Sequence, residues 1–282
     1  MKLNFLLPFL FILLYGSGFV ATKYGLINAS PLAFLLIRFC IAFIFLVIIS
    51  LVLKASWPKN YKETLHIAAA GSLTVAVFSI GVYISIDYGL SPSLSALIIA
   101  LQPVLVTIFA LNLLGERITK KHWFGLFLGF IGVAFVVISK FELNSNEMVG
   151  VLMSIFALIG LSFGNLYQKK YCDHMNIFTG GAIQTFTAAL IVLPLMLLFE
   201  DVKINWNIDL IYAILYMSVG VSIGALSLLY VLIRNGDVSK VSSLFYLMPV
   251  CAALISYLIF DEKIELSVFV GIVAVLIGLI LI

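Results

Sequence analysis

Residues 101–132 read LQPVLVTIFALNLLGERITKKHWFGLFLGFIG, and residues 247–278 read LMPVCAALISYLIFDEKIELSVFVGIVAVLIG. Laid over one another at a constant offset, without gaps, Pro103 falls on Pro249, Val104 on Val250, Glu116 on Glu262 and Arg117 on Lys263. Ile118 then falls on Ile264, Gly125 on Gly271 and Gly132 on Gly278. Each copy is an apolar helix with a central proline, a short charged turn and a second apolar helix flecked with glycine. An internal repeat decides the architecture before any single motif does. The chain reads as two related halves, residues 1–143 and 144–282.

Composition sets the class. At 63% hydrophobic residues, with a mean hydropathy of +1.22, the chain has too little polar surface to coat a soluble domain. Apolar stretches of about 20 residues parted by short polar turns indicate an all-α integral membrane protein. Ten spans are predicted, at 4–24, 31–53, 65–88, 92–114, 122–140, 147–168, 178–199, 208–233, 238–260 and 265–282. The first could pass for a signal peptide, but Gly18 and Lys23 fall on Gly164 and Lys169 at the same offset, so it is read as a retained span. A net charge of +3 gives no reason to expect a nucleic-acid partner.

Orientation follows from the basic residues. Lys2, Lys54, Lys59, Lys62, Arg117, Lys120, Lys121, Lys169, Lys170, Arg234 and Lys240 fall at the amino terminus or in even-numbered turns. The odd-numbered turns carry Glu142, Glu147, Glu200, Asp201, Asp209, Asp261, Glu262 and Glu265. Both termini are expected in the cytoplasm, in the plasma (inner) membrane. With five spans per half, the two copies then cross the membrane upside down relative to each other, as in secondary transporters.

Pro103 and Pro249 lie about halfway along spans four and nine. A proline removes one backbone hydrogen bond and crowds the carbonyl four residues back, here Ile99 and Phe245. Inside a bilayer that irregularity survives only against protein or a water-filled cavity. Paired proline-interrupted spans point to a midplane binding site and make both prolines candidate hinges; a packing kink is the alternative.

The polar side chains within the spans suggest the rest of the site. Tyr15, Ser17, Ser79, Tyr83, Gln102, Asn165, Tyr230, Ser243 and Tyr246 are the candidate substrate-binding residues, since polar groups in hydrocarbon turn inward to find partners. Ser79 and Tyr83 share one helical face, and Ser243 lies a turn from Tyr246 beside Pro249. Serines and tyrosines that merely join helices are the alternative. Arg38 and Asp87 are candidate structural or coupling residues. Arg38 reads either as a strut held by Asp87 or by backbone carbonyls, or as a direct contact for a substrate carboxylate or phosphate. Asp87 is the only carboxylate within a span that could carry a coupling proton. Glu116 and Glu262 read as turn residues. His66, His122 and His174 show no zinc spacing, and Cys40, Cys172 and Cys251 no disulfide framework, so neither a metal nor a cofactor is expected.

The chain resembles the drug/metabolite transporter superfamily, and more narrowly its EamA-type family. The resemblance rests on Gly16-Ser17-Gly18-Phe19 with Lys23, Pro31 with Arg38-Phe39, Gln102-Pro103-Val104, Gly115-Glu116-Arg117, and Gly125 with Gly132. It departs at Tyr15, where tryptophan is common, and at Leu161-Ser162-Phe163-Gly164 in span six. It implies spans 1, 3, 4, 6, 8 and 9 around a central cavity, with spans 5 and 10 peripheral. It also implies alternating access and movement of small organic metabolites, often outward.

The expected function is a secondary active exporter of amino acids, amines or similar zwitterions, a monomer or weak homodimer, with protons a possible coupling ion. A carrier of nucleotide-linked or phosphorylated solutes is the alternative within transport, although such carriers want several cavity cations. A membrane scaffold or membrane-embedded enzyme is the alternative outside it, although no cluster of His, Asp or Arg marks an active site.

Overall fold

The computed structural model describes residues 3–115, 118–139, 145–260 and 266–281. Glu116, Arg117, Glu142, Asp261, Glu262, Lys263 and Glu265 lie outside the described residues. The helices are α1 (Leu3–Leu26), α2 (Pro31–Val52), α3 (Tyr61–Asp87), α4 (Pro92–Leu113), α5 (Lys120–Ser139), α6 (Ser145–Tyr171), α7 (Ile177–Phe199), α8 (Ile208–Asn235), α9 (Val238–Phe260) and α10 (Leu266–Leu281). Among the described residues, eight helices are long and apolar enough to cross a membrane. The apolar α5 and α10 occupy the places expected for spans five and ten.

Local chemistry sets the helix starts. Asn60, Ser91, Asn176 and Asn207 each accept a backbone N–H of the first turn that follows them. At α2, Pro31 takes a position that needs no N–H, but Ser30 supplies no cap of its own. Glu200, beyond the end of α7, does so instead: its carboxylate accepts from Leu32 N at 2.7 Å and Ala33 N at 2.8 Å. A carboxylate suits the positive end of a helix. The same loop is fastened to the α1–α2 turn by Ser30 N to Lys203 O (2.9 Å), Asn205 N to Asn28 O (2.8 Å) and an isolated bridge between Ala29 and Ile204.

Helix packing is regular. α2 packs on α7, α5 on α10, α4 on α9, α3 and α4 on α6, and α8 and α9 on α1. Exchanging each helix for its counterpart five places along leaves that scheme unchanged. The α5–α10 contact needs glycine: a Cβ on Gly278 would lie 2.5 Å from Gly125 O, and one on Gly132 2.9 Å from Gly271 O.

Four helices are irregular, in matched pairs. α4 leaves the helical path at Ala100–Leu101, directly before Gln102-Pro103, where the missing N–H opens the hydrogen-bond ladder. At the corresponding place α9 tightens into a 3₁₀ stretch, Ser243–Leu247, before Met248-Pro249. α3 and α8 instead widen into π-helical turns, Ser72–Val77 and Tyr216–Ala225. Such turns concentrate at functional sites.

Candidate functional site

The π turns of α3 and α8 face one another across α1 and α2. Between them lies a cavity lined by Tyr15, Gly18 and Thr22 of α1, Arg38 of α2, Thr74, Phe78, Ser79 and Tyr83 of α3, and Met217 and Val221 of α8. About 30 Å³ of it can hold the centres of water molecules, room for a few waters and no more. Tyr15 packs against Phe78, with ring centroids 5.7 Å apart, and against Phe245 at 5.5 Å. This aromatic layer fills the space toward α9, so α4, α6 and α9 contribute no lining, unlike the six-helix arrangement that the resemblance implies.

Arg38 is the one charged group on this wall, and it is 4% exposed. Its Nε donates to Ser222 Oγ at 2.9 Å and its Nη1 to Tyr83 OH at 3.1 Å. The guanidinium also lies 5.4 Å from the Phe39 ring centroid and 5.7 Å from that of Tyr83. Ser218 Oγ contacts Arg38 O at 3.2 Å, tying α8 to the α2 backbone. Across the cavity the Tyr15 hydroxyl is buried without a hydrogen-bond partner among the described residues.

The expected Arg38–Asp87 strut does not form. Asp87 sits one turn beyond Tyr83, at the exposed end of α3, and lines a separate vestibule of about 600 Å³ with Glu200 and Asn28. Tyr83, one turn nearer the centre, takes the arginine instead.

The EamA-like transporter family model matches residues 3–138 and again 148–282. The chain belongs to the EamA-like transporter family. It is thus a multi-pass membrane transporter of the drug/metabolite transporter superfamily. It is 28% identical over 277 residues to the uncharacterized transporter YvbV of Bacillus subtilis (strain 168), covering 96% of this chain and 88% of that one. It is 23% identical over 284 residues to a probable amino-acid metabolite efflux pump of Escherichia coli (strain K12), covering 97% and 92%. A solved crystal structure of a protein shares the fold, with TM-score 0.78 at 17% identity, covering 98% of this chain and 94% of that one.

Within this EamA fold the residues expected to bind substrate divide into groups. Tyr15, Ser79 and Tyr83 meet Arg38 at the cavity. Ser17 lies on the opposite side of α1, 2.5 Å from Tyr216 OH. It donates its own proton to Leu13 O at 2.6 Å, so the tyrosine is the donor in that pair. Both line an apolar crevice of about 450 Å³ with Tyr24, Tyr212 and Ile255. Tyr230 donates to Gln184 Oε1 at 2.6 Å, and Gln184 Nε2 donates to Gln168 Oε1 at 2.8 Å. Gln102 and Asn165 are fully buried away from the cavity lining, with their amide groups unpartnered among the described residues. Ser243 donates to Ser239 O within α9 at 3.0 Å.

Tyr246 points toward α5, where its hydroxyl meets Leu126 O at 3.5 Å and would lie 2.6 Å from a Cβ on Gly129. The 3₁₀ stretch gives the reason. Three residues per turn instead of 3.6 advances each side chain by about 20° more, or about 60° between Ser243 and Tyr246.

Outside the spans, Cys172 follows α6 at the mouth of the Gln168–Gln184 knot. Burial pushes its thiol up to about 12, with Asp173 and Glu63 adding to the effect. Among the described residues no three His, Cys, Asp or Glu side chains cluster in a way that could hold a metal ion.

Proposed function

We propose that this chain is a secondary carrier that exports small organic metabolites, amino acids, amines or similar zwitterions, by alternating access across the plasma (inner) membrane. Its termini face the cytoplasm, and residues 1–143 and 144–282 form inverted halves. The observation that carries this reading is the small cavity bearing Arg38, Tyr83, Ser79 and the unpartnered Tyr15 hydroxyl inside an apolar helical body. Polar groups of that kind, buried at membrane depth, mark a solute path.

The cavity has room for only a few waters, so loading an amino acid requires the helices to part. The α4 break before Pro103, the α9 stretch before Pro249 and the π turns of α3 and α8 are the places where the backbone ladder is already interrupted. We assign the rocking of the halves to them, with Pro103 and Pro249 as hinges. Gln102 and Asn165, which have no partners in the closed form, gain them when the bend opens. Asp87 lies off this cavity, so a proton, if it is the coupling ion, passes elsewhere than between Asp87 and Arg38.

The test is flux in proteoliposomes of the purified chain. Labelled amino acids, amines and nucleosides are supplied with and without a pH gradient, beside the double variant Tyr15→Phe, Ser79→Ala. Saturable uptake that falls roughly tenfold or more in the variant is expected, in keeping with the loss of one or two hydrogen bonds. No saturable uptake of any panel member would overturn the proposal.

A further inference from the structure

We propose that Arg38 is the carboxylate receptor of the cavity, so that the transported solute is a small monocarboxylate with an apolar or aromatic body, and bare amines are poor ligands. The inference rests on the carrier reading above and narrows it to one chemical class.

The argument begins with charge. A guanidinium cannot shed its proton, so a buried arginine stays cationic and needs compensation. Two other buried or half-buried cations at helix ends, Lys169 and Arg234, obtain it from carbonyls. Lys169 Nζ donates to the carbonyls of Ile233, Arg234 and Gly236 at 2.8, 3.0 and 3.3 Å, and Arg234 donates to Met175 O. Arg38 has no such cage. Its two side-chain hydrogen bonds go to neutral hydroxyls, Ser222 and Tyr83, and no carboxylate pairs with it among the described residues. Two of five N–H groups are committed in this way, in a side chain that borders the cavity.

The second observation is independent of the charge. The Tyr15 hydroxyl, 3% exposed over the whole residue, borders the same cavity with no partner among the described residues. A buried hydroxyl left unpaired costs free energy that a bound polar group returns. Between these two groups the wall is apolar, made by Phe19, Val75 and Phe78. A carboxylate therefore meets the arginine, an apolar body meets the phenylalanines, and a neighbouring polar substituent reaches Tyr15. One guanidinium balances a monoanion but leaves the dianion of a phosphate monoester half-compensated, which sets carboxylates above phosphates.

The test is calorimetric titration of the full chain in lipid nanodiscs with L-leucine, L-methionine and L-phenylalanine. Each is paired with its primary amide, which keeps the shape and the ammonium and removes the negative charge. At least one acid is expected to bind about 10–100-fold tighter than its amide. Arg38→Gln should bring the acid down to the affinity of the amide while moving the amide by less than about twofold; Arg38→Lys, which keeps the charge, should fall between. Melting temperature and monodispersity of each variant separate loss of the site from loss of the fold. Acid and amide binding equally to the unaltered chain, no binding of any pair, or Arg38→Gln weakening acid and amide alike would overturn the proposal. Saturable flux of amines or nucleosides in the panel above, together with any of those results, would leave the carrier standing without this ligand class. Absence of all saturable flux would remove the carrier itself.

Discussion

Arg38 in α2 and Gln184 in α7 occupy equivalent places in the two halves, and each anchors a polar knot that includes a tyrosine of the following helix. In the first half the knot is charged and borders the cavity: Arg38 donates to Tyr83 and, across the halves, to Ser222. In the second half it is neutral and borders only a smaller pocket, of about 10 Å³. Tyr230 donates to Gln184, Gln184 donates to Gln168, and Gln168 Nε2 lies 3.3 Å from Met175 Sδ. The same backbone position therefore serves two ends. A knot whose donors and acceptors are matched holds helices together; one with surplus charge holds them together and still has something to offer a solute.

The sharpest way to break the comparison is to move the charge. Gln184→Arg places a guanidinium where the neighbours are an amide, a hydroxyl and a thioether. We expect it to cost on the order of 3–5 kcal/mol, the range for an unpaired buried charge. Size-exclusion chromatography should show no monodisperse protein, whereas Arg38→Gln should elute normally. Next in size is Gln184→Leu, which removes the acceptor of Tyr230 OH, leaving it only Thr74 Oγ1 at 3.4 Å, and the donor to Gln168 Oε1. A loss of roughly 1–3 kcal/mol is expected from thermal unfolding, with flux per folded molecule within about twofold of the original.

Smaller again is Tyr83→Phe, which keeps the ring beside Arg38 and removes one acceptor that orients it. Solute affinity should fall by about 3–10-fold in titration, with little change in melting temperature. The smallest effect probes the closed knot from its mouth. A thiol raised to about 12 stays protonated at neutral pH, because its thiolate appears only as the pH nears that value. At pH 7 the thiolate fraction at Cys172 is on the order of 10⁻⁵, so maleimide labelling should run roughly a thousandfold slower than at an exposed cysteine and quicken as pH rises. Rapid labelling at pH 7 would mean that the second knot is as open as the first.

Much of this was legible in the sequence. The paired Pro103 and Pro249 marked where two helices lose their ladder, since a missing N–H acts at a known place. Gly125, Gly132, Gly271 and Gly278, aligned positions of the repeat, prove to be the close contact between α5 and α10. Ser79 and Tyr83 share a helical face that the sequence shows, and the fold brings Tyr15 of α1 to the same cavity. The partners of Arg38 were not legible, because Ser222 is 184 residues away and nothing distinguishes it from other serines. Asp87 was favoured for its charge, but the helix carries it past the site.

Glu200 as the cap of α2 was hidden for a similar reason, since capping is usually read from the adjacent residue. The π turns carry no proline or other local sign. A residue of surplus is accommodated there by packing against neighbouring helices, and only the assembled fold reveals it. Tyr246 was misplaced by assuming regular helix up to Pro249, when the 3₁₀ stretch turns its face away.

The central claim is that the solute occupies the cavity beside Arg38. It is tested most directly by substrate protection of a thiol placed there: Ser79→Cys in a chain whose Cys40, Cys172 and Cys251 are serine. The solute that saturates flux should slow alkylation of that thiol at concentrations matching its half-saturation. Saturated flux with an unchanged alkylation rate would place the path elsewhere and contradict the account.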